Sequence, residues 1–92
     1  MERIVMIPAL NPDEKLRELT ERLRRQGNRV IVVDDGSGEA YSGLFQELKG
    51  QCIVLCHKEN RGKGAAIKTG LRYVRTELGG RGVIGLMDAD GQ

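Results

Sequence analysis

"RVIVVDD" (29–35) decides how this chain folds. Four β-branched residues in a row, Val30 to Val33, leave the strand no polar face. An antiparallel strand with one wet side would alternate; a run without alternation is expected where helices cover both faces of a parallel sheet. The flanking segments agree. Upstream, "LNPDEKLRELTERLRRQGN" (10–28) reads as an amphipathic helix. Asn11 can cap it, Pro12 suits its first position, and Glu14 completes a capping-box spacing. Leu16, Leu19 and Leu23 recur at helical spacing, Arg24 and Arg25 suit the negative end, and Gly27 can stop it. Before that helix, "RIVMIP" (3–8) is a short apolar run closed by a proline, a buried strand.

Downstream, "GSG" (36–38) turns the chain, and Tyr41, Leu44, Phe45 and Leu48 mark one face of a short helix ending near Gly50. "QCIVLCH" (51–57) is a third strand and "KENRGKG" (58–64) a polar, glycine-rich loop. Ile67, Gly70, Leu71, Val74 and Leu78 share one side of the next helix. "GGRG" (79–82) breaks it, and "VIGLMD" (83–88) is a fourth strand. The order βαβαβαβ with short loops predicts a single α/β domain over 1–92. Its architecture is a Rossmann-like α/β/α sandwich with right-handed crossovers. The expected strand order is 3-2-1-4, with the reversal between the first and fourth strands.

Ligands of such sheets bind beyond the carboxyl ends of the strands, at the reversal. Pro8, Ala9, Asn11, Asp34, Asp35, Asp88 and Asp90 all fall on that edge, a convergence that argues for a site there.

Composition narrows the function classes. The net charge is +2 over 92 residues, with both signs interspersed. No basic stripe of the kind nucleic-acid binders carry is present, so no nucleic-acid partner is expected. No apolar stretch approaches the roughly 20 residues that cross a bilayer. "MERIVMIPAL" (1–10) is not a signal peptide, which makes the cytoplasm the default compartment. Cys52 and Cys56 would lie about 13 Å apart on one face of a strand. That is too far for a disulfide, so two buried free thiols are expected.

Three motifs carry chemistry. In "VDDGSG" (33–38), Asp34 and Asp35 point in different directions, so one can serve structure and the other a ligand. Asp-Gly is equally a plain turn signal. In "ENRGKGAAIKTG" (59–70), the glycines let backbone N–H groups approach an anion, and Arg61, Lys63 and Lys68 add positive charge. This is neither a Walker A loop nor a dinucleotide fingerprint, since both spacings are absent. A glycine-eased turn with solvated charges explains it as well. In "DAD" (88–90), paired carboxylates suit a hard cation such as Mg²⁺ or Mn²⁺, which binds one or two of them plus substrate phosphates. His57, after the third strand, reads as a structural or solvent-facing residue.

With these residues placed, the chain resembles the N-terminal, nucleotide-binding portion of a family 2 glycosyltransferase of the GT-A fold. "VMIPALNPDEKL" (5–16), "VIVVDDGSG" (30–38), "ENRGKGAAIKTGL" (59–71) and "GLMDADGQ" (85–92) are similar to that family's successive motifs, in order. The resemblance implies a nucleotide-diphosphate sugar as partner and a divalent cation as cofactor. It implies that Pro8, Ala9 and Asn11 line the nucleotide pocket. Asp35, with or without Asp34, would bind base or ribose, and Arg61 and Lys63 would sit near the nucleotide. Asp88 would approach the ribose or the metal, and Asp90 would hold the metal against the diphosphate. The chain departs from the family at Gly38 and Glu39, where Thr then Asp is commoner.

The family's acceptor half and catalytic base follow the metal motif, so the chain is expected to be a truncated half, inactive alone, with no catalytic residue of its own. The alternative is a non-enzymatic remnant acting as a small nucleotide-binding or interaction module. A haloacid-dehalogenase phosphatase also uses Asp-x-Asp, but after its first strand. Truncation would bare the edge of "VIGLMD" (83–88) and apolar surface around it, which predicts a homo-oligomer, most simply a two-fold dimer.

Overall fold

Parallel strands β1 (Arg3–Ala9), β2 (Arg29–Asp34), β3 (Ile53–Cys56) and β4 (Val83–Leu86) form one sheet in the order β3-β2-β1-β4. Between them run α1 (Lys15–Arg25), α2 (Ser42–Lys49), introduced by a single 3-10 turn at Glu39–Tyr41, and α3 (Lys63–Glu77). This is the α/β architecture and the strand order that the sequence predicts. The computed structural model describes residues 2–89. No helix among the described residues is long and apolar enough to cross a membrane.

The two central strands divide their side chains between two cores. Ile7 and Ala9 of β1 and Val30 and Val32 of β2 bury against Leu16, Leu19 and Leu23 of α1 and Phe45 and Leu48 of α2. Ile4 and Met6 with Ile31 and Val33 bury against Ala66 and Val74 of α3. Successive strand residues point to opposite faces, so an uninterrupted apolar run feeds both layers. The same alternation sends Asp34 toward the α1 and α2 layer and Asp35 toward α3.

Helix α3 docks on a different facet from the one its largest apolar residues suggest. Ala66, Gly70 and Val74 are buried, Ile67 and Leu78 are half-buried, and Leu71 is exposed. The reason is steric. A Cβ on Gly70 would overlap the Met6 thioether, so the helix approaches the sheet along its smallest residues. Leu71, one step round the helix, is turned outward.

The start of α1 also differs from the sequence reading. Neither Asn11 nor Pro12 begins the helix, and Glu14 makes no capping-box bond. Asp13 accepts the Lys15 N–H through Oδ1 at 2.8 Å. Asn11 instead adopts φ 49°, a left-handed conformation that Asn tolerates better than most residues. Its N–H donates to Ser37 Oγ at 2.9 Å. Residues 10–14 therefore form a loop at the carboxyl edge of the sheet.

The cysteines are free, as expected, but not buried: Cys52 is half-buried and Cys56 exposed. Cys52 precedes the edge strand β3 and Cys56 ends it, where cover is thinner. Desolvation still pushes both thiols above their ordinary range. The other edge, β4, is exposed along its whole length, with Val83 at 56% and Leu86 at 55% exposure.

Candidate functional site

The register brings the strand ends level. Ala9 pairs with Asp34, and Asp34 with Cys56. One residue further on, Asp35 and His57 leave their strands side by side, both on the α3 face. His57 Nδ1 lies 2.8 Å from Asp35 Oδ1, and its Nε2 lies 2.7 Å from Thr69 Oγ1 on α3. Both side chains of the His57–Asp35 pair are only 6% exposed.

Asp35 also collects backbone donors from the glycine-rich loop. The Arg61 N–H donates to Oδ1 and the Gly62 N–H to Oδ2, each at 2.9 Å. Burial by itself would raise the Asp35 carboxyl. The two backbone N–H groups and His57 outweigh it and hold the group below the usual carboxylate range. The loop's glycine does let backbone N–H groups meet an anion, as its sequence suggests. The anion they meet is a carboxylate of this same chain. With a carboxylate's roughly four lone-pair positions and three of them used, Asp35 keeps about one acceptor position for anything else.

Asp34 serves the turn. Its Oδ1 accepts the Ser37 N–H at 2.9 Å, and its carbonyl accepts the His57 N–H at 2.8 Å. Ser37 in turn receives the Asn11 N–H, which ties the β2 turn to the loop after β1. Gly36, between them, has φ 78°, and a Cβ there would run into the backbone of Glu59 and Asn60. Only glycine lets the β2 turn lie against the loop that follows β3.

These contacts leave a cleft at the carboxyl ends of β1 and β4. Its volume is ≈310 Å³, and it is lined by Pro8, Ala9, Leu10, Asp35, Asn60, Gly62, Lys63 and Asp88. A second hollow of ≈340 Å³ adjoins it across Pro8 and Asp88, and extends to Asn11, Asp13 and Ala89. At the mouth, Lys63 Nζ donates to Asp88 Oδ1 at 2.9 Å, with both side chains more than half exposed. This ion pair bridges the start of α3 and the end of β4.

Of the residues singled out in the sequence, Pro8, Ala9, Asn11, Asp35, Lys63 and Asp88 border these two hollows. Asp34 borders another cavity, on the α2 side, with Glu39, Phe45 and Lys49. Arg61 contributes its backbone N–H, and its residue is exposed. Asp90 lies outside the described residues. Among the described residues no group of three His, Cys, Asp or Glu side chains is placed to hold a metal.

His57 and Thr69 are the members that sequence reasoning missed. His57 is structural, as one of its two readings had it, but it is buried at the site. The available signal was register: pairing "VVDD" (32–35) with "VLCH" (54–57) one for one sets His57 beside Asp35.

Known proteins resemble this chain in sequence, and a solved structure resembles it in fold. Residues 4–92 match the model of the family described as Glycosyl transferase family 2. An uncharacterised protein of Methanocaldococcus jannaschii is 34% identical over 99% of this chain, which covers 36% of that protein. A UDP-N-acetylglucosamine–dolichyl-phosphate N-acetylglucosaminyltransferase of Methanococcus voltae is 29% identical over 96% of the chain and 41% of its own length. A pre-mycofactocin glycosyltransferase of Mycobacterium tuberculosis is 38% identical over 94% of the chain and 17% of its own length. The crystal structure of S. aureus TarS superposes with a TM-score of 0.71 at 20% identity, covering 98% of this chain and 28% of that one. The chain thus spans less than half the length of each of these relatives.

Proposed function

The chain belongs to glycosyl transferase family 2, and from that premise we propose that the cleft between β1 and β4 binds the nucleotide-diphosphate part of a sugar donor. The observation that carries this reading is convergence. Pro8, Ala9, Asp35, Lys63 and Asp88 come from four separate stretches of sequence and line one cleft at the strand reversal. In this reading Pro8, Ala9 and Asn11 form the floor along which base and ribose lie. Asp35 offers its last acceptor position to a donor on the base or the ribose. An ionised carboxylate can only accept. A base with a ring N–H, uracil or guanine, therefore suits Asp35 better than one with a bare ring nitrogen. Asp34 supports this wall from behind through Ser37, and Arg61 and Lys63 set positive charge near the phosphates.

A divalent cation, Mg²⁺ or Mn²⁺, fits the donor chemistry at the cleft mouth. Asp88 is an exposed carboxylate there, and Asp90 follows it in sequence. One or two carboxylates plus diphosphate oxygens are the usual ligands of such ions. When bound, the cation would neutralise charge on the departing diphosphate. Lys63 pairs with Asp88 and would turn toward the phosphates if a cation took that carboxylate. Transfer to an acceptor also needs acceptor-binding groups and a base. Among the described residues His57 is buried behind Asp35 with both ring nitrogens engaged. We therefore assign this chain donor binding and expect no turnover from it alone.

A second reading, a small oligomeric nucleotide-binding or interaction module, is favoured by one observation: Val83, Ile84 and Leu86 stand exposed on an edge strand. Sedimentation at tens of micromolar tests the oligomer on which the second reading depends. A concentration-dependent dimer that Leu86→Lys abolishes would support the module; a monomer would remove it.

Calorimetric titration with UDP and GDP, each with and without Mn²⁺, tests the donor site. Binding that needs Mn²⁺ and is lost in Asp88→Ala and Asp90→Ala is the expected result. No binding of either nucleotide by the folded chain would overturn the reading.

A further inference from the structure

The buried chain Asp35–His57–Thr69 ties together four pieces of backbone by their side chains. Asp35 follows β2, His57 follows β3, and Thr69 lies in the second turn of α3. Through Asp35 the same chain holds Arg61 and Gly62 of the loop before α3. Asp35 faces the cleft, and His57 and Thr69 stand behind it.

Hydrogen-bond bookkeeping fixes the ring. Asp35, ionised, can only accept, so His57 Nδ1 carries a proton and donates it to Oδ1. Thr69 has one hydroxyl proton and two acceptors within reach, His57 Nε2 at 2.7 Å and the Ala65 carbonyl at 3.0 Å. With a neutral ring, Thr69 donates to Nε2. With a protonated ring, Nε2 donates to Thr69 Oγ1, whose own O–H donates to the Ala65 carbonyl. Every group is satisfied in either state, and in both Nδ1–H stays on Asp35. No buried side-chain polar atom among the described residues lacks a partner.

We infer that His57 is a positioning residue of the nucleotide site: anchored to α3 by Thr69, it holds Asp35 in the orientation that clamps the Arg61 and Gly62 N–H groups. The cleft wall is thereby set before any ligand arrives. The inference deepens the donor-binding reading and rests on it only for its effect on affinity; the clamp itself is a property of the fold.

Two substitutions separate the ring's two bonds. Asparagine places an amide nitrogen near the position of Nδ1, and glutamine places one near Nε2. His57→Asn can therefore keep the bond to Asp35 and lose Thr69, while His57→Gln does the reverse. Both are read by nucleotide titration and by amide hydrogen exchange at Arg61 and Gly62. His57→Asn should stay near the wild-type affinity for UDP or GDP and keep both amides protected. His57→Gln should bind roughly tenfold more weakly or worse, the usual effect of losing a hydrogen bond to a charged group. It should also expose the Arg61 amide to exchange, and the Gly62 amide less, since Asn60 Oδ1 accepts from that one as well. The protein has one histidine, so the ring ¹⁵N resonances of the wild type need no assignment. They should report a proton on Nδ1 in the apo chain.

Equal losses in the two variants, unchanged exchange at Arg61 and Gly62 in His57→Gln, or a ring protonated on Nε2 alone would each overturn the inference. If nothing binds nucleotide, the exchange and ring signals still decide it. That outcome would end the donor reading while leaving the clamp standing or falling on its own.

Discussion

The two walls of the cleft are built by opposite means. On the α3 side, Asp35, His57 and Thr69 are tied together below the surface, and two loop amides are tied to them. On the β4 side, Asp88 stands beyond an edge strand exposed at every position, held by a surface ion pair to Lys63. Buried, fully satisfied polar networks rigidify and cost heavily when one member is removed. Exposed ion pairs contribute about 0–1 kcal/mol and yield readily to salt or a competing ion. The contrast teaches that this site is half preorganised: one wall is fixed, and the other can open to a ligand.

The sharpest way to break that contrast is to remove Asp35. Asp35→Ala leaves the Arg61 N–H and His57 without their acceptor and leaves the Gly62 N–H only its 3.0 Å contact with Asn60 Oδ1. A loss of about 3 kcal/mol in denaturant unfolding is expected, because each orphaned buried donor carries its own desolvation cost. A loss below about 0.5 kcal/mol, the size of an ordinary surface substitution, would mean that this wall is no more built than the other.

Next in size is Gly36→Ala. The left-handed φ and the close backbone of Glu59 and Asn60 together predict about 2 kcal/mol of destabilisation. Chemical shifts should move at both loops, since the residue is their point of contact.

Acid should distinguish the walls as well. The Asp35 carboxyl is held below its ordinary 3.8 in the folded state. A depressed pKa contributes stability that is fully present above the unfolded value and is lost as pH falls through the folded one. Stability should therefore drop below about pH 4. Asp35→Asn should flatten that limb.

The smallest effect belongs to Lys63→Ala. Its unfolding free energy should change by no more than about 0.5 kcal/mol, as for other exposed pairs. Mn²⁺ affinity in the presence of UDP should hold or rise, because Asp88 is freed. A large loss of stability would show that the mouth is as firmly built as the wall.

Much of this was legible in the sequence, and its limits have physical causes. Four apolar runs and three helical stripes led to the element order, and the unbroken Val30–Val33 run led to a sheet covered on both sides. Strand order and the edge that gathers Pro8, Ala9, Asp35 and Asp88 followed from topology. The docking facet of α3 did not, because periodicity weighs Ile67 and Leu71 above Gly70, while close packing against Met6 selects the smallest residue. The start of α1 was missed because Asn11 and Asp13 are both competent caps, and the loop's tie to Ser37 decided between them. His57 carried no motif at all. Its place depended on the pairing register of β2 and β3, a relation between two segments that neither one displays alone.

The most direct test of the central claim is a ligand footprint read by amide chemical shifts, with UDP and Mg²⁺ added to the ¹⁵N-labelled chain. Shifts should map to both walls together, at residues 9–11 and 13, 60–63 and 86–89. Those at 86–89 should broaden most, since that wall must rearrange. Shifts confined to the α2-side cavity around Asp34 and Lys49, or none at millimolar UDP, would contradict a nucleotide site between β1 and β4.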